Sequence, residues 1–253
     1  MKTLPLIALA FAATAHAADA ADDGGPAVVP YRPSVSTPAQ LSAPGYLELE
    51  AGGLRATDRG DSRTSLPYTL KLAFTPDWGI RVGGEAWVRD AFPGGAETGV
   101  GDTAVVLKRR FAVSDATAWG LELGETFPTA KSSIGLGHAA TTINGILSSD
   151  FAPAWHTDIN LNETHLGGSG QGSPWQLGWA AAVSRTLTDT WGAVGEFSGT
   201  HQPGLDTAQF LAAASWNQSP AAVFDFGLAR ALTDTSPRWQ VFAGVTVRLG
   251  KVF

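Results

Sequence analysis

The sequence has no cysteine among its 253 residues and only one methionine. Without cysteine, disulfide bonds, thiolate nucleophiles and cysteine metal sites are excluded. Long apolar runs are missing as well, because nothing after residue 17 approaches the roughly 18 consecutive apolar residues of a transmembrane helix. Positive charge is scarce, with 17 Lys and Arg against 23 Asp and Glu and a net charge of -6. No basic run is present to contact phosphates, so the sequence predicts no nucleic-acid partner.

The N-terminus has the pattern of a secretory signal peptide. Lys2 precedes an apolar segment, residues 4–15, which leads into the small-x-small sequence Ala15-His16-Ala17. About a dozen apolar residues are too few for a membrane helix, which needs about 20. We therefore expect residues 1–17 to be a signal peptide that is cleaved after Ala17.

Residues 18–44 form a separate segment that is rich in Ala, Asp, Gly and Pro and has no periodicity. We interpret it as an extended periplasmic N-terminal arm, with a disordered linker as the alternative.

The clearest pattern lies in residues 239–253, which alternate with a period of two. One face carries Val241, Val245, Val247 and Leu249, and the aromatic C-terminal Phe253 has the same parity. A period of two indicates a β-strand. Strands of ordinary globular domains average about 5–6 residues. So long a strand, ending on a C-terminal aromatic residue, is typical of a transmembrane β-barrel.

The same alternation repeats from Tyr46 onwards and predicts an all-β fold, an antiparallel transmembrane barrel of about 12 strands over residues 45–253. In residues 80–89, for example, it predicts an outward face with Val88 and an inward face with Arg81, Glu85 and Arg89. A closed barrel is the one fold without helices that satisfies every backbone group in lipid.

The predicted connections alternate between short turns and longer loops, as they do in outer-membrane barrels. The longer loops are predicted at residues 56–64, 90–98, 128–140, 167–174, 201–205 and 232–238. Five tryptophans lie beside the short turns, and we predict that they form a girdle at a membrane interface: Trp78, Trp119, Trp155, Trp191 and Trp216. In a soluble periplasmic β-sandwich, the alternative fold, they would be core residues.

Several short motifs resemble a known family. They are GVGD at residues 99–102, GETFPT at 124–129, GLG at 135–137, FDFGL at 224–228 and WQVFAGVT at 239–246. In this order and spacing they resemble the meta-pathway phenol-degradation family of proteobacterial outer-membrane proteins, over about residues 46–253. The resemblance implies an outer-membrane transporter that passes aromatic compounds.

The predicted inward face is charged, and these residues are candidates for a lumen lining. They are Glu48, Lys71, Arg81, Glu85, Asp102, Lys108, Arg110, Glu122, Asp158, Glu196, Asp225 and Arg248. In one interpretation they select solutes electrostatically. In the other they pair across the lumen and hold the barrel shut, because buried ions need partners. A barrel of this size lies near the filled end of the range.

The sequence does not indicate catalysis. A serine nucleophile needs a histidine base within hydrogen-bond reach, but His138, His165 and His201 fall in or beside predicted outer loops, and none is in an H-x-S arrangement. His156 and Asp158 share an inward face, but they would be two of the four ligands of a structural zinc site. We therefore predict neither an enzyme, nor a cofactor, nor a metal site.

These observations predict a passive channel or transporter in the bacterial outer membrane for small molecules, aromatic or hydrophobic ones among them. A closed barrel with a structural or adhesive role is the alternative. The expected partners are outer-membrane lipid, a small-molecule solute and the barrel-assembly machinery, which would recognise the C-terminal strand ending at Phe253.

Overall fold

The computed structural model describes residues 24–168 and 173–253, and the strands within these ranges form one closed antiparallel sheet. The predicted signal peptide lies outside the described residues. The strands are β1 (Tyr46–Asp58), β2 (Asp61–Ala73), β3 (Trp78–Phe92), β4 (Gly95–Gly99), β5 (Thr103–Ala112), β6 (Thr117–Phe127), β7 (Ala140–Ala152), β8 (Trp155–Leu166), β9 (Trp175–Thr186), β10 (Trp191–Gln202), β11 (Leu205–Ser219), β12 (Ala222–Ala231) and β13 (Trp239–Lys251). Over these ranges no helix is long and apolar enough to cross a membrane.

The sheet closes because β1 pairs with both β2 and β13. The short β4 and the following β5 both pair with β3. β4 pairs with the C-terminal part of β3 and β5 with its N-terminal part, so β4 and β5 share one position in the wall. The barrel therefore has twelve wall positions and one extra strand, which confirms the predicted fold. We call the end that carries the short connections, Tyr46 and Lys251 the turn end, and the opposite end the loop end.

Side chains alternate between the two faces of the wall as the period of two requires. Lys108 and Glu122 point inward and are each 2% exposed, whereas Leu107 and Leu123 point outward and are 41% and 52% exposed. The outer surface is thus apolar and the interior polar, the reverse of a soluble protein and the arrangement of a transmembrane barrel.

The five tryptophans of the predicted girdle all lie at the turn end of the barrel with exposed rings. Trp191 and Trp216, for instance, face each other across β10 and β11 with ring centroids 6.3 Å apart. Trp175 and Trp239 begin their strands at the loop end, so tryptophan is present at both rims. Aromatic rings at the two rims are typical of barrels that cross a bilayer; the interface role of the five residues stays a prediction.

Three of the longer loops predicted from composition are wrong, because strands cover most of residues 56–64, 90–98 and 201–205, and β3 and β4 are joined through residues 93–94. β1 continues to Asp58 and turns through Arg59 and Gly60, and β10 and β11 are joined through residues 203–204. Backbone φ angles of 40° at Arg59, 112° at Gly60 and 86° at Gly204 allow these two-residue turns. The ends of these strands project beyond the membrane and are polar, and for this reason their composition resembled that of loops. Residues 128–139, 167–168, 173–174 and 232–238 lie outside the strands, as predicted, and residues 169–172 of the predicted loop lie outside the described residues.

The predicted orientation of Val88 and Arg89 is also wrong. The register between β2 and β3 shifts between Ser65 and Pro67, where β3 has one residue more than β2. A bulge of one residue exchanges the two faces of the strand beyond it. Val88 is therefore completely buried in the lumen and Arg89 is exposed. Pro67 fits here because a bulge tolerates the missing backbone N–H.

Substitution of a residue on the outer face tests this assignment. Leu161 lies in the middle of β8 and is 58% exposed. Leu161→Arg should reduce the free energy of unfolding by about 2–4 kcal/mol, because the cation would lie in hydrocarbon. The measurement is a urea titration of the protein in lipid vesicles, with the heat-dependent gel shift as the readout of the folded fraction. Val113→Arg, in a short turn, should have a much smaller effect; equal losses in the two variants would contradict the assignment.

Candidate functional site: a lumen occupied by the N-terminal arm

Residues 24–44 lie inside the barrel. The backbone N–H of Val28 bonds the carbonyl of Pro220 at the turn end (2.9 Å), Val35 and Ser36 reach Glu196 in mid-barrel, and the chain returns to begin β1. The predicted location in the periplasm is therefore corrected: the described part of the arm is an inserted loop that occupies the lumen. We call it the arm, and residues 34–38 the arm tip.

The arm is held largely through its backbone. Apart from an isolated bridge between Pro44 and Ala73, it pairs with no strand, yet buried N–H groups require acceptors. Side chains of the wall supply them. The bonds join the N–H of Tyr31 to Glu50 (2.7 Å), of Ser36 to Glu196 (2.8 Å), of Thr37 to Asn160 (2.9 Å) and of Ala39 to the hydroxyl of Ser148 (2.7 Å).

The carbonyl groups of the arm receive the complementary bonds. Lys71 donates to the carbonyl of Val29 at 2.5 Å, and the Asn160 amide donates to that of Thr37 at 2.9 Å. Lys108 donates to the carbonyl of Pro38. Wall residues thus bond both faces of the peptide chain, so the arm occupies a defined position.

The ring of Tyr31 lies among cations. The ammonium nitrogens of Lys108 and Lys71 are 4.1 Å and 4.3 Å from the ring centroid, distances at which a cation is attracted to the face of an aromatic ring. The hydroxyl group donates to the carbonyl of Gln40 at 2.8 Å and accepts from Lys108 at 3.1 Å. Tyr31 therefore joins the two limbs of the arm to the wall.

Ion pairs fill the lumen between β1 and β6. Lys71 is 3.0 Å from Glu48 and 2.6 Å from Glu50. Glu122 is 2.9 Å from Arg81 and 3.5 Å from Lys108, and it also accepts a bond from Asn144 at 2.9 Å. These charges satisfy one another, which makes their burial tolerable. We call this region the charged half of the lumen.

The opposite part of the lumen, along β8–β11, has small inward side chains such as Gly178, Ala180, Ala182 and Ser184, and it contains two cavities. One, of about 790 Å³, lies toward the turn end, and the other, of about 500 Å³, lies toward the loop end. Ser36 lines the first and Thr37 the second, so the arm tip separates them. We call this region the open half.

Most of the predicted lumen residues take part in one of these networks. Beyond the charged half, Asp225 pairs with Arg32 of the arm at 3.0 Å, and Asp158 pairs with His156 at 3.1 Å. Arg248 donates to the carbonyl of Pro26. All of these contacts lie on the inner side of the wall. Whether these residues select solutes stays a prediction.

The remaining predicted lumen residues lie nearer the loop end or lack a bond. Glu85 pairs with Arg63 at 2.5 Å. Asp102 accepts bonds from the N–H groups of Ala130 and Leu136, at 3.0 Å and 2.7 Å, and so fixes the loop of residues 128–139. The buried Nε of Arg110 has no hydrogen-bond partner among the described residues.

Tyr31 and Arg32 are not among the predicted site residues, because the pattern of the arm predicts a segment outside the barrel. A signal was present: Tyr31 is the only aromatic residue, and Arg32 the only charged residue, between positions 24 and 44. The other residues of this segment are uncharged and lack aromatic rings. An aromatic residue next to a charged one therefore indicates that the two have partners elsewhere in the chain.

No protein-family model and no curated protein matches the sequence. Solved structures are similar in fold. The KdgM porin in complex with disordered oligogalacturonate is 6% identical with a TM-score of 0.59, over 80% of this chain and 99% of that one. The CymD monoaromatic hydrocarbon channel is 10% identical with a TM-score of 0.52, over 83% and 89% of the two chains. The Ralstonia pickettii toluene transporter TbuX is 10% identical with a TM-score of 0.50, over 83% and 90%.

Identities this low establish the fold and nothing finer. The chain has the fold of bacterial outer-membrane β-barrels, and its apolar outer surface requires lipid around it. The bacterial outer membrane is therefore its location.

Removal of one charge tests the ion-pair network. Glu122→Gln should reduce the free energy of unfolding by about 3–5 kcal/mol, because the buried Lys108 and the partly buried Arg81 lose their shared counter-ion. The measurement is a urea titration of the vesicle-embedded protein. Asp115→Asn, which makes the same charge change in an exposed turn, is the control. A Glu122→Gln protein as stable as the control would show that the charged half does not depend on this carboxylate.

Proposed function

We propose that this chain is a passive outer-membrane channel for small molecules, whose path follows the open half of the lumen and whose gate is the arm tip. The observation that carries the proposal is the pair of cavities, about 790 Å³ and 500 Å³, on opposite sides of residues 34–38. Together they occupy most of the height of the barrel along β8–β11. Displacement of the arm tip would join them into one path.

The linings favour small solutes with both polar and apolar surface. The cavity toward the loop end is lined by hydroxyl and amide groups such as those of Thr142 and Asn162, whereas the other has apolar side chains such as Val194 and Val223. Cavities of a few hundred Å³ with mixed linings are typical of small-molecule sites. Two proteins of similar fold, described as a monoaromatic hydrocarbon channel and a toluene transporter, support including aromatic compounds among the solutes.

We also propose membership of the meta-pathway phenol-degradation family. Support comes from the contact between two of its motifs, the GVGD and GLG segments. A Cβ atom on Gly135 would lie 2.5 Å from the carboxylate of Asp102, and one on Gly101 would lie 2.5 Å from that of Glu85. Larger residues would not fit at either glycine without movement of these carboxylates. The two motifs therefore pack against each other at the loop end of the barrel.

A closed structural barrel is the second candidate, because the bonds to Glu196 and Asn160 close the lumen at the arm tip. Phe253 is 60% exposed at the end of the chain. Recognition of that end by the barrel-assembly machinery is part of either proposal.

Narrowing of the open half tests the channel. Ala182→Phe and Ala180→Phe place a ring in the two cavities, and each should slow the swelling of proteoliposomes in small solutes. Ala181→Phe is the matched control, since that side chain faces outward into lipid. Correct folding is checked by the heat-dependent gel shift. Equal rates in the inward and outward variants would contradict the assigned path, and no flux through any folded protein would favour the closed barrel.

A further inference from the structure

The ion pairs of the charged half do not depend on the arm. They join three carboxylates to three cations at 2.6–3.5 Å, namely Glu48, Glu50 and Glu122 with Lys71, Arg81 and Lys108. Every member of these pairs belongs to the wall. Withdrawal of the arm removes hydrogen bonds from this half but leaves each of these six groups with a partner of opposite charge.

The wall of β10 and β12 behaves differently, because the arm supplies the partners of its carboxylates. Asp225 is 3% exposed, and the guanidinium of Arg32 binds both of its oxygens at 3.0 Å. Glu196 is completely buried and accepts three bonds of 2.7–3.0 Å, from the N–H groups of Val35 and Ser36 and from the Ser36 hydroxyl. Withdrawal of the arm therefore exposes two carboxylates together with the space of the open half.

We infer that the arm is a displaceable plug and that the channel it uncovers selects small cationic solutes over anions, with Glu196 and Asp225 as the selecting residues. The inference rests on the proposed channel function and adds the charge of the solute. Carboxylates in a narrow lumen require a positive or hydrogen-bond-donating partner. Arg32 shows which chemistry satisfies one of them: a planar guanidinium bound through two parallel N–H···O bonds. A solute with an ammonium or guanidinium group replaces it.

The contacts of the arm are of a kind that can be exchanged. They are mainly hydrogen bonds, several of them to charged side chains, together with one ion pair, and water can replace each lost partner. Three apolar residues of the arm are buried, Val28, Tyr31 and Ala39, and the buried apolar cluster that includes an arm residue is small, with Ala39, Ala118 and Ile146. The free energy that holds the plug is thus spread over many separate contacts.

Release of the plug can be measured with a single thiol, because the chain has no cysteine. Ser36 is 1% exposed in the docked arm, whereas its neighbour Val35 is 54% exposed. In the full chain in lipid vesicles, Ser36→Cys should react with an uncharged thiol reagent more slowly than Val35→Cys. Addition of Arg32→Ala should accelerate the reaction at position 36 and leave that at position 35 nearly unchanged. Arg32→Gln replaces Arg32→Ala if the gel shift shows that the latter does not fold. No acceleration in a folded variant would overturn the plug.

Selectivity is measured as the reversal potential of single channels of the Arg32→Ala protein across a planar bilayer with a KCl gradient. We expect the permeability of K⁺ to exceed that of Cl⁻ by about tenfold, the lower end of the enrichment that charged clefts produce. Asp225→Asn and Glu196→Gln in the same background should bring the ratio toward unity. Asp115→Asn and Asp189→Asn make the same change of charge in exposed turns and should leave it unchanged.

The outcomes separate the two proposals. Conducting channels with a ratio near unity, or a ratio that neutralisation of Glu196 and Asp225 does not change, would overturn the selectivity and leave the channel intact. Folded protein without conductance or solute flux in any variant would overturn the channel itself, and the selectivity with it.

Discussion

The arrangement of the lumen depends on one constraint, the need of a peptide chain inside a closed barrel to bond its own N–H and C=O groups. The arm does not add a strand to the wall, because every strand except the short β4 at the loop end already has two neighbours. Side chains of the wall, above all Glu196 and Asn160, therefore act as the partners that a neighbouring strand would supply. The positions of these residues in mid-barrel fix how far the arm extends into the lumen.

The two halves of the lumen have different roles: the charged half contributes to stability, and the open half leaves space for a solute. Between β1 and β6, ion pairs and the ring of Tyr31 fill the interior, and the pair of Arg81 with Glu122 joins β3 to β6. Along β8–β11, inward residues such as Ala180 and Ala182 leave space. A substitution in the first region acts mainly on folding, and one in the second acts mainly on what can pass. Because the path lies to one side, a barrel of modest width can have one half filled by side chains and a route for solutes along the other half.

The fold could be predicted because its signals are local. Alternation with a period of two requires only neighbouring residues, and it identified the barrel and the inward position of Lys108 and Glu122. The orientation of Val88 depended on a register shift opposite Pro67, which arises from the pairing of two strands. The turn at Arg59 and Gly60 was hidden by the polar composition of strand ends beyond the membrane.

The arm could not be placed from the sequence because its partners are spread over the whole chain. Arg32 binds Asp225, 193 positions away, and Ser36 binds Glu196, 160 positions away. A local periodicity in the sequence contains no information about contacts over such distances. The carboxylates of the wall were visible as inward residues, but their acceptor role toward backbone N–H groups depends on a segment that has no pattern of its own.

The arm is joined to the first strand through Gly45, whose φ of 80° allows the chain to reverse. A side chain there would meet the carbonyl oxygen of Phe253, so the hinge lies where the first and last strands meet. A segment tethered this closely has an effective concentration in the millimolar range at its own binding site. Docking and release are consequently first-order events that dilution of the protein does not change. A soluble competitor that binds the lumen no more tightly than the arm does would have to reach comparable millimolar levels to keep it out.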